Sequence, residues 1–238
     1  MKPNTQLYEK IAHEHLVGNK RPATPNTQLV RSLHYKNILP PQDKGSKMLD
    51  VGCYDGGSMI YFGKYGYRVA GVDITQAQLE LAEFNLNKEG IKPVTLKVLK
   101  NEIIDYPDEE FDFVLCWKTI YNTGAREKVE KLLSEMVRTL KPGKPIIINT
   151  LENDSIHFEN SEKIGTNLYK YKIPRRSDES FIIRHHFENA DEFVNLLEQY
   201  GIGNIEIGGH TGTMLHKPGS DERSIKRSFR IYYGEKVR

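Results

Sequence analysis

The sequence predicts an α/β fold built on a mostly parallel sheet with helices on both faces. Short apolar runs closed by glycine or polar residues recur along the chain, and segments of helical periodicity alternate with them. The chain has 238 residues, 38% of them hydrophobic, enough for one domain with a substantial core but short for two. Parallel neighbours need crossover connections, which the interleaved helices supply.

Residues 1–45 hold three separated prolines before Pro40-Pro41, with helical clusters such as Leu7, Ile11 and Leu29, Val30, Leu33. An N-terminal extension with one or two helices is expected there. At Lys47 the character changes: Met48-Leu49-Asp50-Val51-Gly52 reads as a buried strand, and Arg68 to Ile74 repeats that form. Thr75 and Gln78 have capping-box spacing, and Leu79, Ala82 and Leu86 recur at helical intervals until Gly90. Val94 to Leu99 and Phe111 to Trp117 supply two more strands. Val129, Leu132, Leu133, Met136, Val137 and Leu140 form the apolar stripe of a helix ending at Lys141-Pro142-Gly143, and Ile146 to Ile148 is a fifth strand.

After Thr150 the rhythm breaks. Residues 151–188 are polar and rich in aromatics and histidine, and longer than an ordinary connection, so they are expected to form a loop-like substrate cap. Asn189 with Glu192 starts a capped helix through Tyr200, followed by strands at Ile202–Ile207 and Ile231–Tyr233 with the glycine-rich Gly208 to Gly212 in the loop between them. The expected organisation is a lid over residues 1–45 and a ligand-binding domain over 46–238 carrying the cap insertion 151–188.

Charge excludes less than it includes. Lys and Arg total 34 against 32 Asp and Glu, and no long like-charged block forms the stripe of a nucleic-acid binder. No apolar run approaches the roughly 20 residues of a membrane span, and the opening MKPNTQLYEK lacks a signal-peptide core. Cys53 and Cys116 cannot make a disulfide framework, and the eight histidines lack the paired spacing of a structural zinc site. A soluble cytoplasmic protein without metal, DNA or membrane partners is the expectation.

The chemistry concentrates in Leu49-Asp50-Val51-Gly52-Cys53-Tyr54-Asp55-Gly56-Gly57 and in Ala70-Gly71-Val72-Asp73. A glycine turn after a first strand brings backbone close to a ligand, and an acid about 20 residues later can take two ribose hydroxyls. A dinucleotide site would want glycine where Tyr54 stands, and Asp50 suits a cationic ligand group better than a diphosphate.

These residues resemble the class I S-adenosylmethionine-dependent methyltransferases. The likeness runs from about Lys47 to Thr150 through LDVGCYDGG, AGVDIT, FDFVLCW and LKPGKPIIINT. It implies a Rossmann-like, doubly wound, seven-stranded sheet whose last strand is antiparallel, with a helical or loop cap. It implies that Asp50, Gly52 and Gly56 surround the methionine end of the cofactor, that Asp73 holds the ribose and that Ile74 lies beside the adenine. Asn101 stands nearest the place where the family often has an adenine-contacting aspartate. The family's small-molecule members often close a tyrosine-bearing N-terminal segment over the cofactor, which points to Tyr8. Residues 116–119 read Cys-Trp-Lys-Thr where adenine-targeting N-methyltransferases carry Asn/Asp-Pro-Pro-aromatic, which argues against DNA as substrate.

Cys53, Cys116, Trp117 and Tyr121 are placed along the cofactor, the cysteines as packing residues without an activating partner and the aromatics as faces for a sulfonium. His157 and the pair His185-His186 are the candidate bases, because an imidazole titrates near neutrality. Tyr121, Tyr169, Arg175, Arg176 and Arg184 are the candidate substrate contacts, arginine forks suiting an acidic small molecule. The leading expectation is methyl transfer to oxygen or nitrogen of a small polar molecule. RNA or protein methylation, docked by Lys217, Arg223, Lys226, Arg227 and Arg230, is the rival. A non-catalytic nucleoside-binding module fits the same cofactor residues, whereas a nicotinamide oxidoreductase fits the topology but is opposed by Tyr54 and Asp50.

Overall fold

The structure is a computed structural model, and it describes residues 3–18, 23–39, 43, 45–152, 155, 158, 161–172, 181–213 and 226–237. Five strands, β1 (Lys47–Val51), β2 (Arg68–Asp73), β3 (Leu96–Val98), β4 (Phe113–Cys116) and β5 (Pro145–Leu151), run parallel, as their apolar runs predict. β9 (Ile202–Thr213) and β10 (Lys226–Lys236) complete a seven-stranded sheet of order β3-β2-β1-β4-β5-β10-β9, in which β10 lies antiparallel to both neighbours. β1 is flanked by β2 on one side and β4 on the other, so the order reverses there and the carboxyl ends of β1 and β4 diverge into a crevice.

Both faces of the sheet are buried. Along β1 and β4, Leu49, Val51, Val114 and Cys116 point to the layer of α5 (Arg126–Thr139) and α6 (Ala190–Gln199). Met48, Phe113 and Leu115 alternate to the other side, against α2 (Thr27–Tyr35), α3 (Gly57–Lys64) and α4 (Gln76–Lys88). The caps read from sequence are made: Thr75 Oγ1 accepts the Gln78 N–H at 3.2 Å, and Asn189 Oδ1 accepts the Glu192 N–H at 2.8 Å.

The stretch after Thr150 differs from the expected loop. Three strands, β6 (Ser161–Gly165), β7 (Leu168–Lys172) and β8 (Phe181–His185), form a separate antiparallel sheet of order β6-β7-β8. Their polar composition hides them, since β6 is exposed along most of its length and lacks the apolar alternation of a half-buried strand. Gly208 to Gly212 are likewise not a loop: β9 continues through them to Thr213, paired with β10 as far as Lys226. Strand pairing with β10 overrides the weak strand preference of glycine there.

The N-terminal segment forms α1 (Pro3–Gly18) and α2, two helices. α1 packs on α4 and β8. Asn4 ties α1 to the chain around β8: its Nδ2 donates to the backbone oxygens of Asn122 and Ile183 at 2.8 and 3.1 Å, while its Oδ1 accepts the Ile183 N–H at 3.0 Å. Among the described residues no helix is long and apolar enough to cross a membrane.

Candidate active site

A cavity of about 910 Å³ opens at the reversal point, walled by the ends of β1, β2 and β4, by α1 and by β8. Its floor is the turn after β1. Gly52 and Cys53 both donate their N–H to Val72 O, at 2.8 and 3.1 Å, which folds the turn against β2. Gly52 takes φ +80°, and a Cβ there would meet Thr119 Oγ1 at 2.1 Å, so only a bare backbone fits between turn and crevice wall. Gly52→Ala is expected to cost about 2 kcal/mol of stability, from left-handed strain and the displaced Thr119 together. Thermal melting checks this, with Thr119→Ala in the Gly52→Ala background recovering only the part due to contact.

Tyr54 follows with φ 47°, so a non-glycine residue takes the left-handed path a glycine would otherwise supply. Its N–H is fixed by Asp73 Oδ2 at 2.8 Å, and its hydroxyl meets His15 Nδ1 of α1 at 2.9 Å. Asp73 also accepts the Ile74 N–H through Oδ1 at 2.7 Å. The remaining lone pairs of this carboxylate are acceptors for a ligand hydroxyl. Asp55 Oδ1 accepts the Gly57 N–H at 3.1 Å at the start of α3.

Three acids thus surround the turn, and burial sets their protonation. The Asp50 carboxyl, 3% exposed, is pushed up to about 8 by desolvation, reinforced by the charges of Asp73 and Asp55. Asp73 is pushed up to about 6 by burial, against which the N–H groups of Tyr54, Ile74 and Thr75 hold its charge. Asp55 is raised by the same desolvation. A cation entering this pole would relieve the crowding of like charge.

After β4 the chain turns sharply. Lys118 adopts φ 59° and donates its N–H to the buried Asn149 Oδ1 at 2.5 Å, which aims Trp117, Thr119 and Tyr121 at the cavity. A single 3₁₀ turn, Ile120–Asn122, then carries the chain to α5.

A family described as "Methyltransferase domain" matches residues 49–148, the stretch that builds the turn, Asp73 and the crevice strands. That stretch is similar to a methyltransferase domain, and the fold around it is the one implied by the resemblance to S-adenosylmethionine-dependent methyltransferases. Norajmaline N-methyltransferase of Rauvolfia serpentina is 31% identical over 120 residues, 49% of this chain and 40% of that enzyme. Ubiquinone biosynthesis O-methyltransferase of Rickettsia conorii is 28% identical over 160 residues, 62% of this chain and 54% of that enzyme. The match therefore spans about half the length of the curated relatives. A crystal structure of a SAM-dependent methyltransferase from Methanosarcina mazei superimposes with a TM-score of 0.67 at 21% identity, over 86% of this chain and 98% of that one.

The methyltransferase domain and its attached segments bring most of the sequence-predicted residues to one cavity. Tyr8, Asp50, Gly52, Cys53, Asp73, Ile74, Asn101, Trp117, Tyr121 and Arg184 line it. Gly56 lies behind the lining, where its bare Cα lets Ala82 of α4 approach, and Cys116 is wholly buried in the core. Burial pushes both thiols up, Cys53 with help from Asp73 and Asp50, so neither is a nucleophile at neutral pH.

Two of the candidate bases, His185 and His186, do not share this place. Arg184 faces the cavity, so its strand neighbour His185 faces the opposite way, packed on Phe187 and 2% exposed. Desolvation, with the charge of Arg126, pushes its imidazole down to about 4. His186 sits edge-on to Phe158 and Tyr169, with ring centroids at 4.4 and 5.5 Å, and neither His186 nor Tyr169 lines the cavity. His157, Arg175 and Arg176 lie outside the described residues.

Sequence reading misses Asn4, Asp55, Asn122 and Lys128, all in the cavity wall. Asp55 is visible inside the glycine motif; Asn4 and Asn122 carry no local signal, since each matters through a partner remote in sequence. The acids of the lining, Asp50, Asp55, Asp73 and Glu102, come from the β1 and β2 ends and the segment after β3, and the cations Lys118, Lys128 and Arg184 from the segment after β4, α5 and β8.

Proposed function

We propose that this protein transfers the methyl group of S-adenosylmethionine to an oxygen or nitrogen of a small polar molecule held beneath α1 and the β6-β7-β8 sheet. The observation that carries the reading is the acidic pole around the Gly52 turn, inside a cavity closed by segments from both ends of the methyltransferase domain. Its residues fit the cofactor's chemistry: Asp73 offers a carboxylate as acceptor for ribose hydroxyls, Asp50 a carboxylate for cationic groups, and Gly52 a surface without side chain. Bound there, S-adenosylmethionine supplies an electrophilic methyl group on a sulfonium.

The protein's part is placement. Asp50 and Asp73 orient the donor, and Trp117 and Tyr121 present aromatic faces that favour positive charge. α1, with Tyr8 and the His15–Tyr54 hydrogen bond, covers the opening and excludes water. Holding donor and acceptor in line supplies several kcal/mol of catalysis without a covalent intermediate, on the order of 7 kcal/mol in well-oriented systems.

Calorimetric titration with S-adenosylmethionine, S-adenosylhomocysteine and NAD in parallel tests the reading. Binding of both sulfur nucleosides and not NAD is expected. NAD binding alone would replace the methyltransferase reading with an oxidoreductase one, and sulfur-nucleoside binding with no turnover across a broad acceptor panel would leave a nucleoside-binding module.

A further inference from the structure

We infer that Asn4 is a positioning residue for methyl transfer: through α1 it sets the acceptor wall of the cavity, β8 and the Ile120–Asn122 turn, in response to the cofactor at the Gly52 turn. The inference rests on the methyltransferase reading and gives it an order, donor before acceptor.

Asn4 does for β8 what a neighbouring strand would do. β8 ends the order β6-β7-β8, so one of its edges faces a partner other than β7. The Asn4 amide takes that place and engages both backbone groups of Ile183, Nδ2 donating to the carbonyl at 3.1 Å and Oδ1 accepting the N–H at 3.0 Å. Nδ2 also donates to Asn122 O at 2.8 Å. Asn122 passes the restraint on: its Oδ1 accepts from Arg184 Nε at 3.0 Å, and its Nδ2 donates to Lys118 O at 2.8 Å. One amide from α1 thereby holds β8 and the chain after β4 against each other, and Lys118, Asn122, Ile183 and Arg184 all line the cavity.

The other end of α1 is tied to the cofactor side. His15 lies in the last turn, eleven residues from Asn4 and about 16 Å further along the helix. Its ring stands edge-on to that of Tyr54, with centroids 5.9 Å apart, and its Nδ1 meets the Tyr54 hydroxyl at 2.9 Å. The Tyr54 N–H is held in turn by Asp73 Oδ2 at 2.8 Å, the carboxylate proposed to take the ribose hydroxyls. Between the two ties Leu7 and Ala12 are buried, which keeps the helix seated on the domain. A nucleoside that settles Asp73 and the Tyr54 turn therefore restrains the far end of α1, and the helix carries that restraint to Ile183 and Asn122. Ordering of one pole by the donor lowers the ordering cost that the acceptor meets at the other.

The test uses the full chain with and without saturating S-adenosylhomocysteine. Trp117, the single tryptophan of the chain, lines the cavity and reports affinity through its fluorescence, while amide hydrogen exchange of Phe181–His185 reports the acceptor wall. The ligand is expected to slow that exchange about tenfold in the parent, and less than about twofold in Asn4→Ala and in His15→Ala. By reciprocity both variants should bind S-adenosylhomocysteine about fivefold more weakly than the parent. His15→Ala leaves the Asn4 bonds to Ile183 in place, so its effect on β8 separates coupling from local loss of a contact. A merely structural Asn4 would shift the exchange of β8 equally with and without the ligand.

Slowing by S-adenosylhomocysteine that equals the parent's in either variant overturns the inference, as does a parent that binds the ligand without slowing β8. Exchange of β5 at the parent's rates reports a retained fold, and His15→Ala alone decides where Asn4→Ala does not fold. A parent that fails to bind S-adenosylhomocysteine removes the cofactor reading itself, and this inference with it.

Discussion

Asp73→Ala is expected to weaken S-adenosylmethionine binding by about 100-fold or more, the equivalent of two hydrogen bonds to a charged group at about 1.5 kcal/mol each. The spacing of Asp73 from the glycine turn by itself would have this substitution leave the fold untouched. The structure adds a second effect, because the same carboxylate accepts the N–H groups of Tyr54 and Ile74. Their loss leaves two backbone donors without an acceptor and releases Tyr54 from its left-handed conformation, so the melting temperature should fall as well. Calorimetry and thermal melting on the same sample separate the two. Unchanged affinity beside a lowered melting temperature would assign Asp73 to the turn alone.

Asp50→Asn is expected to act in opposite directions on stability and on binding. The Asp50 carboxyl is raised from its ordinary 3.8 to about 8, so the proton it keeps in the folded state stabilises the ligand-free protein below its unfolded value. That contribution is lost progressively as pH rises through about 8. Asparagine, never charged, avoids the loss. The melting temperature of ligand-free Asp50→Asn should therefore gain on the parent from about pH 4 up to about pH 8 and then level off. Its affinity for S-adenosylmethionine should fall by roughly 3 kcal/mol, as when one member of a buried charge pair is removed. In the parent, cofactor binding should release a proton near neutral pH, visible as a dependence of the calorimetric heat on buffer ionisation enthalpy. A melting-temperature difference that does not change with pH would show that the carboxylate is not held protonated.

The parts of this protein that can be read from its residues are those whose signal is local. Buried parallel strands announce themselves as apolar runs, so β1, β2, β4 and β5 are visible, and the Thr75 and Asn189 caps locate the helices they start. Gly52 and Asp73 are legible because chain direction and spacing alone bring a strand-end turn and a strand-end acid together. What escapes the sequence depends on long-range pairing. β6 to β8 are polar strands satisfied by one another, and the glycines of β9 are held extended by β10. The orientation of His185 follows from which face of β8 turns to the cavity, a choice fixed by Asn4 and Asn122 and invisible in the dipeptide His185-His186.

The hydrogen bonds of Asn4 also bear on how the molecule assembles. Asn4 and Ile183 are separated by 179 residues, among the longest loops a contact in this chain closes. Such contacts form late, since their closure entropy is offset only after the intervening sheet has collapsed. α1 therefore waits for a strand 179 residues further along the chain, and during that interval the Gly52 turn and its acids lie open to solvent. The ligand pocket is completed at the end of folding, so the opening of its wall is a small local unfolding that retraces the final step by which the chain was made.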